Sequence, residues 1–169
     1  SDGIVGRGVL LDIPRLKGVE HLEPGTAITP DDLVEAESAQ ASPVREGDIL
    51  LVATGRDARR AAVGPWAPYG EGLAGLHPEC IPWLHQRGVA VLGSDGVSDV
   101  LPAHSPEGWP MPIHQCTLVS MGVHLLDNLR LDRLAAACEE EQRWAFLFTV
   151  APLIVEGGTG SPANPIALL

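Results

Sequence analysis

Short apolar runs separated by turn-forming residues recur along the 169-residue chain. Four runs are rich in aliphatic residues and end at a proline, a glycine or a polar turn, which is typical of buried strands. The predicted strands are Val5 to Ile13, Ile49 to Thr54, Val89 to Leu92 and Ala145 to Val150.

Helix signals lie between these strands. Thr29 supplies an N-cap hydroxyl before Pro30, and acidic residues follow at the positive helix end, so a helix is predicted from Pro30 to about Gln40. Two more helices are predicted, one opening at His77-Pro78-Glu79 and running to Arg87, the other from about Asp132 to Gln142. The alternation of strands and helices predicts an α/β fold in a single domain over residues 1–169.

Two other stretches of the chain carry expectations. Gly64 to Leu76 is rich in glycine, proline and aromatic residues, which indicates either an ordered loop that lines a pocket or a plain surface loop. The first predicted strand begins within a few residues of Ser1, as it does in a chain cut from a longer one. We therefore expect these residues to be the C-terminal part of a longer protein.

Composition narrows the choice of partners and compartment. The chain is 45% hydrophobic and 20% charged, which is typical of a globular protein, and its net charge of -11 argues against nucleic acid and anionic membranes as partners. Its three cysteines lack CxxC spacing, which favours a reduced, cytoplasmic protein. The longest apolar runs are too short to span a bilayer.

Candidate metal ligands lie in the apolar segment HQCTLVSMGVHLLDNL. His114, His124 and Asp127 fall within fourteen residues there, and imidazole and carboxylate are the groups that bind Zn²⁺ or Mn²⁺. Spacing alone leaves the alternative that these histidines are hydrogen-bonded core residues.

A second cluster of polar residues, SDGVSD, follows the predicted strand at Val89 to Leu92. Asp95, Ser98 and Asp99 lie where α/β proteins often bind ligands, so they are candidate substrate-binding residues. The alternative is that they cap the backbone of a turn.

Five sequence blocks occur in the order found in one enzyme family. They are GRGVLLDI (6–13), GDILLVATG (47–55), GVAVLGSDGVSDVLP (88–102), PIHQCTLVSMGVHLLDNL (112–129) and APLIVEGGTGSPANPIAL (151–168). Together they resemble the cyclase family of metal-dependent hydrolases, which includes bacterial kynurenine formamidase and isatin hydrolase. The resemblance implies a swivelling β/β/α fold, with a barrel-like sheet packed by helices, and a homo-oligomeric assembly.

The resemblance also implies a site. The family's HxGTHxD motif is absent from this chain, but the later family histidine matches His114, and Asp127 stands where many relatives have glutamate. The implied cofactor is Zn²⁺ or Mn²⁺, and the implied reaction is hydrolysis of an amide, lactam or similar C–N or C–O bond of a small molecule. His124 is a candidate catalytic residue that acts beside the ligands and does not bind the metal itself, and the alternative for it is an ordinary packing role.

Two consequences remain as expectations. The missing N-terminal segment, or another copy of the chain, is expected to complete the site and cover the sheet. The alternative function is a non-catalytic binding or structural domain that keeps the fold without a working metal site.

Overall fold

The computed structural model describes residues 3–169, and its centre is a six-stranded mixed sheet. The strands are β1 (Ile4–Asp12), β2 (Ala27–Ile28), β3 (Ile49–Ala53), β4 (Gly75–Leu76), β5 (Val91–Ser94), β6 (His124–Leu126), β7 (Ala145–Val150) and β8 (Ile166–Leu168). The helices are α1 (Ile13–Lys17), α2 (Pro30–Ala39), α3 (Arg56–Val63), α4 (Pro68–Glu71), α5 (Cys80–Arg87), α6 (Pro112–His114), a π-helix (Gln115–Met121) and α7 (Asp132–Glu141). Within residues 3–169, no helix is long and apolar enough to cross a membrane.

The strand order of the main sheet is β6-β5-β3-β1-β7-β8. Strands β6, β5, β3 and β1 are mutually parallel, whereas β7 runs antiparallel to β1 and β8 antiparallel to β7. A second sheet is the parallel pair of β2 and β4. The carboxyl ends of the four parallel strands therefore lie along one edge, which we call the carboxyl edge, and such an edge is where α/β folds place ligands.

Side-chain alternation along the strands divides the core into two layers. Val9 and Leu11 of β1 face a layer that contains residues of α2 and α5, whereas Leu10 faces a layer built with α7 and β7. The side chains of Val9, Leu10 and Leu11 are all fully buried. Burial of such a side chain contributes about 1.5–3 kcal/mol, so these layers account for much of the stability of the sheet.

The α/β prediction is confirmed, and the predicted strand Ala145 to Val150 has the observed bounds. The third predicted strand begins two residues later than expected, at Val91 instead of Val89, and ends at Ser94. The second predicted helix begins at Cys80, because the residues from His77 form a turn before it.

The expected loop from Gly64 to Leu76 contains α4 and β4, and its end pairs with β2. Several elements were not predicted. Helix α3 contains no buried residue, so it offers no apolar stripe to detect, and β6 and β8 are only three residues long.

Candidate metal centre

One histidine and one carboxylate meet beyond the carboxyl ends of β5 and β6. His114 is the last residue of α6, and Asp127 follows directly on Leu126, the last residue of β6. The Nε2 atom of His114 lies 2.9 Å from Oδ2 of Asp127. The structure therefore brings these two predicted site residues together.

Asp99 binds His114 on the side of the ring opposite Asp127. Its Oδ2 lies 2.6 Å from Nδ1 of the imidazole, and its carboxylate also accepts hydrogen bonds from the backbone N–H groups of Ile113 and His114, at 2.7 and 3.2 Å. Asp99 is 1% exposed. A Cβ atom at Gly75 would overlap the backbone carbonyl of Asp99, so glycine is required at position 75 for this packing. The imidazole is thus fixed in position and orientation.

Asp127 is also held by a neighbour. The hydroxyl of Ser98 donates to its Oδ1 at 3.2 Å, which leaves Oδ2 directed at the imidazole. Ser98 is buried and has a φ angle of 64°, in the left-handed region that non-glycine residues seldom adopt. This backbone conformation is part of the turn that places Ser98 against Asp127 and Asp99 against His114, on either side of the His114–Asp127 contact.

Electrostatics favour a charged imidazole in the metal-free protein. The hydrogen bonds that the ring donates to Asp127 and, to a smaller extent, to Asp99 raise the pKa of His114 from 6.5 to about 9, although partial burial of the ring opposes this. At neutral pH both ring nitrogens are protonated and donate to a carboxylate. A cation that binds Nε2 must therefore displace a proton.

The two facing atoms fit a divalent cation as neighbouring ligands. A nitrogen and an oxygen that are each about 2.1 Å from one ion lie about 3 Å apart when the two bonds are at right angles, as in octahedral coordination, and about 3.4 Å apart at the tetrahedral angle typical of Zn²⁺. The observed separation of 2.9 Å, which is the length of a direct hydrogen bond, is close to the right-angle value. A metal-binding histidine commonly donates its other ring N–H to a carboxylate, and Asp99 is in that position at Nδ1 of His114.

These donors do not make a complete site by themselves. Across residues 3–169, no group of three or more His, Cys, Asp or Glu side chains is arranged to hold a metal ion. His114 and Asp127 are therefore two candidate ligands, which is fewer than the three or four protein ligands that zinc sites usually have.

Two other predicted site residues lie apart from this pair. Asp95 is 5% exposed and accepts hydrogen bonds from the backbone N–H groups of Thr54, Gly55 and Arg56, so it ties the end of β3 to the start of α3. Burial raises the pKa of Asp95. His124 is exposed at the start of β6, where its backbone is paired with Val91, and its side chain forms no hydrogen bond in the described part of the chain.

Sequence reasoning missed a second polar contact at the same edge. Arg56, which follows β3, donates through Nη1 to the side-chain oxygen of Asn128, beside Asp127. Asn128 has a φ angle of 56°, which asparagine tolerates better than most residues. The signal available was the position of Arg56, because it follows a buried parallel strand just as Asp95 and Asp127 do.

Comparisons with known proteins agree with the fold. The cyclase family model matches residues 1–99, which is more than half of the chain. A crystal structure of a novel cyclase is 32% identical, with a TM-score of 0.83, over 98% of this chain and 54% of that one. Isatin hydrolase A from Labrenzia aggregata, bound to benzyl benzoate, is 26% identical, with a TM-score of 0.71, over 96% of this chain and 60% of that one.

A potential metal-dependent hydrolase with cyclase activity has the same fold at 20% identity, with a TM-score of 0.65, over 96% of this chain and 64% of that one. No match was found among curated proteins. The chain thus spans between about half and two thirds of the length of these solved structures.

Proposed function

The chain belongs to the cyclase family, and on that premise we propose that it carries part of the active centre of a hydrolase that uses a divalent cation. His114 and Asp127 are two of the ligands in this proposal. The observation that carries it is the 2.9 Å approach of imidazole and carboxylate, with Asp99 bound to the far side of the ring.

The substrate class follows from the relatives. One of them is an isatin hydrolase, so we propose that the bond cleaved is an amide, a lactam or a similar C–N or C–O bond of a small molecule. The cation is Zn²⁺ or Mn²⁺, both of which accept imidazole and carboxylate ligands. When bound, such an ion lowers the pKa of a water ligand and polarises a carbonyl group.

The chain's own residues have positioning roles in this scheme. Asp99 keeps the proton of the neutral imidazole on Nδ1, so that Nε2 of His114 presents a lone pair. Ser98 holds one oxygen of Asp127 and leaves the other directed at the same point. Both supports are buried, so the ligands do not have to be ordered when the cation binds.

We further propose that residues outside 1–169 complete the ligand set. The solved relatives are longer than this chain, and the described residues provide only two facing donors. The additional ligands belong to another segment of a longer protein or to a second copy in a homo-oligomer.

The test uses the protein expressed from its full reading frame, loaded with Mn²⁺ or Zn²⁺, and assayed for hydrolysis of formyl amides and lactams. His114→Gln and Asp127→Asn should each abolish turnover, whereas His124→Gln, a change at an exposed histidine, should retain it. Stoichiometric metal binding without turnover of any such substrate would instead support the non-catalytic binding domain.

A further inference from the structure

Arginines without an acidic partner collect beside the candidate metal centre. Five of the ten arginines form no ion pair with any residue of the described range 3–169, although the chain has 22 acidic residues. Three of these five are Arg56, Arg60 and Arg133. All three line cavities that open near the carboxyl edge.

The two cavities adjoin each other at the residues that follow β6. One, of about 390 Å³, is lined by Arg56, Arg60 and Arg130, and we call it the arginine cavity. The other, of about 650 Å³, is lined by Arg133 and also by Asp127, one of the two candidate ligands. Both are lined by Asn128, Leu129 and Arg130, so a molecule that contacts Asp127 from the larger cavity is adjacent to the arginine cavity.

The guanidinium group of Arg56 is fixed by contacts with the protein and still has free donors. Its Nη1 donates to the backbone carbonyl of Asp95 at 3.1 Å and to the side-chain oxygen of Asn128, and its guanidinium lies 6.0 Å from the centre of the Trp66 ring. Nε and Nη2 have no hydrogen-bond partner in the described part of the chain. A guanidinium that is already ordered loses less entropy when it binds, and its planar fork matches a carboxylate.

The cavity is not purely basic. Asp57 and Asp95 also line it, but Asp95 is already bound by four hydrogen-bond donors. Oδ2 of Asp57 is buried without a hydrogen bond in the described range and has an ion pair with Nε of Arg130 at 3.5 Å. Arg56 and Arg60 therefore remain as the cationic groups without a counter-charge. An uncompensated pair of guanidinium groups in an acidic protein favours binding of an anion.

We propose that the arginine cavity binds a carboxylate group of the substrate, so that the enzyme acts on small amides or lactams that carry a negative charge. This inference rests on the proposed function, because it assigns the cavity to the same active centre. Charge-assisted hydrogen bonds to Arg56, with Arg60 adding to the local field, would orient the substrate with its scissile bond on the side of Asp127.

Binding of a simple carboxylate tests the proposal without turnover. The protein is stripped of metal with EDTA and dialysed free of the chelator, and benzoate is then titrated into it at low ionic strength and followed by calorimetry. Benzamide, which is neutral and similar in shape, is titrated in parallel. We expect saturable binding of benzoate and at least tenfold weaker binding of benzamide, since one charge-assisted contact changes affinity by about tenfold or more.

Three variants assign the binding to the cavity. Arg56→Gln should weaken benzoate binding about tenfold or more, and Arg60→Gln, which removes an exposed side chain with no hydrogen bond, should weaken it several-fold without affecting folding. Arg45→Gln is the matched control, because Arg45 is also exposed and unpaired in the described range but lies before the amino end of β3. It should bind benzoate like the wild type.

The outcomes separate this inference from the proposed function. Saturable, arginine-dependent benzoate binding together with absence of hydrolysis would support the carboxylate site and reject the hydrolase. Hydrolysis without a preference for benzoate over benzamide, or equal benzoate binding by Arg56→Gln, Arg60→Gln and Arg45→Gln, would overturn the carboxylate site alone.

Discussion

Replacement of Asp99 by asparagine tests the contact that orients the candidate metal ligand. The Asp99 carboxylate accepts three hydrogen bonds, from Nδ1 of His114 and from the N–H groups of His114 and Ile113. An asparagine keeps one acceptor oxygen and turns an NH₂ group toward the remaining donors. Once the imidazole is neutral, its single proton is then favoured on Nε2 instead of Nδ1, where it points at Asp127 and blocks the lone pair that a cation needs.

The expected cost can be worked out from these contacts. A buried N–H that loses its acceptor costs about 1–3 kcal/mol, and a lost charge-assisted hydrogen bond costs about 1.5–3 kcal/mol. Asp99→Asn should therefore lower the free energy of unfolding by roughly 3–5 kcal/mol. For a protein of this size the corresponding fall in Tm is about 6–20 °C. Affinity for Zn²⁺ or Mn²⁺ should fall about 10- to 100-fold, as for other residues that support a metal-binding histidine.

The assays are urea unfolding in EDTA and competition of the protein with a chelator for Zn²⁺. Asp95→Asn is the control, since Asp95 is equally buried and hydrogen bonded but binds the start of α3 instead of His114. It should lower stability and leave metal affinity unchanged. A stability of Asp99→Asn within 0.5 kcal/mol of the wild type, roughly the level of a surface change, would refute the reasoning, as would an equal loss of metal affinity in the two variants.

Two further predictions concern titration and thiol reactivity. The folded-state pKa of His114 is raised from 6.5 to about 9, so the interactions of the charged ring stabilise the metal-free protein fully below pH 6.5 and are lost as the pH rises through 9. In urea unfolding, the difference in unfolding free energy between the wild type and His114→Gln should therefore shrink between pH 6.5 and pH 9. Burial raises the pKa of Cys80 to about 12 and that of Cys138 to about 11, whereas Cys116 is partly exposed. A thiol reagent at pH 8 should therefore label Cys116 alone in the native protein. Early labelling of Cys80 would contradict the packing.

Much of the fold could be predicted from local sequence. The strand Ala145–Val150 and helix α2, with its Thr29 cap and acidic first turn, both follow from short-range patterns. Helix α3 could not be predicted in this way, because an exposed, arginine-rich helix lacks apolar periodicity. Its position is set instead by the Asp95 carboxylate, which comes from the end of a different strand.

The candidate site shows the same division between local and tertiary information. The sequence identified His114 and Asp127 by residue type and by family resemblance, but their approach depends on α6 and β6 packing beside β5. The contact of Asp99 with His114 spans 15 residues, and that of Arg56 with Asn128 spans 72. Neither spacing corresponds to a helix or strand period, so pattern analysis had no means of detecting them.

If His114 and Asp127 bind one cation through Nε2 and Oδ2, as we propose, the imidazole must lose its Nε2 proton when the cation binds. The most direct measurement is side-chain ¹⁵N NMR of the histidines during a Zn²⁺ titration of the wild type, Asp127→Asn and His124→Gln. We predict that Nε2 of His114 loses its proton and shifts on Zn²⁺ binding in the wild type and in His124→Gln, and much less in Asp127→Asn. An unshifted His114 in the Zn²⁺-loaded wild type, or the same shift in Asp127→Asn, would contradict the account.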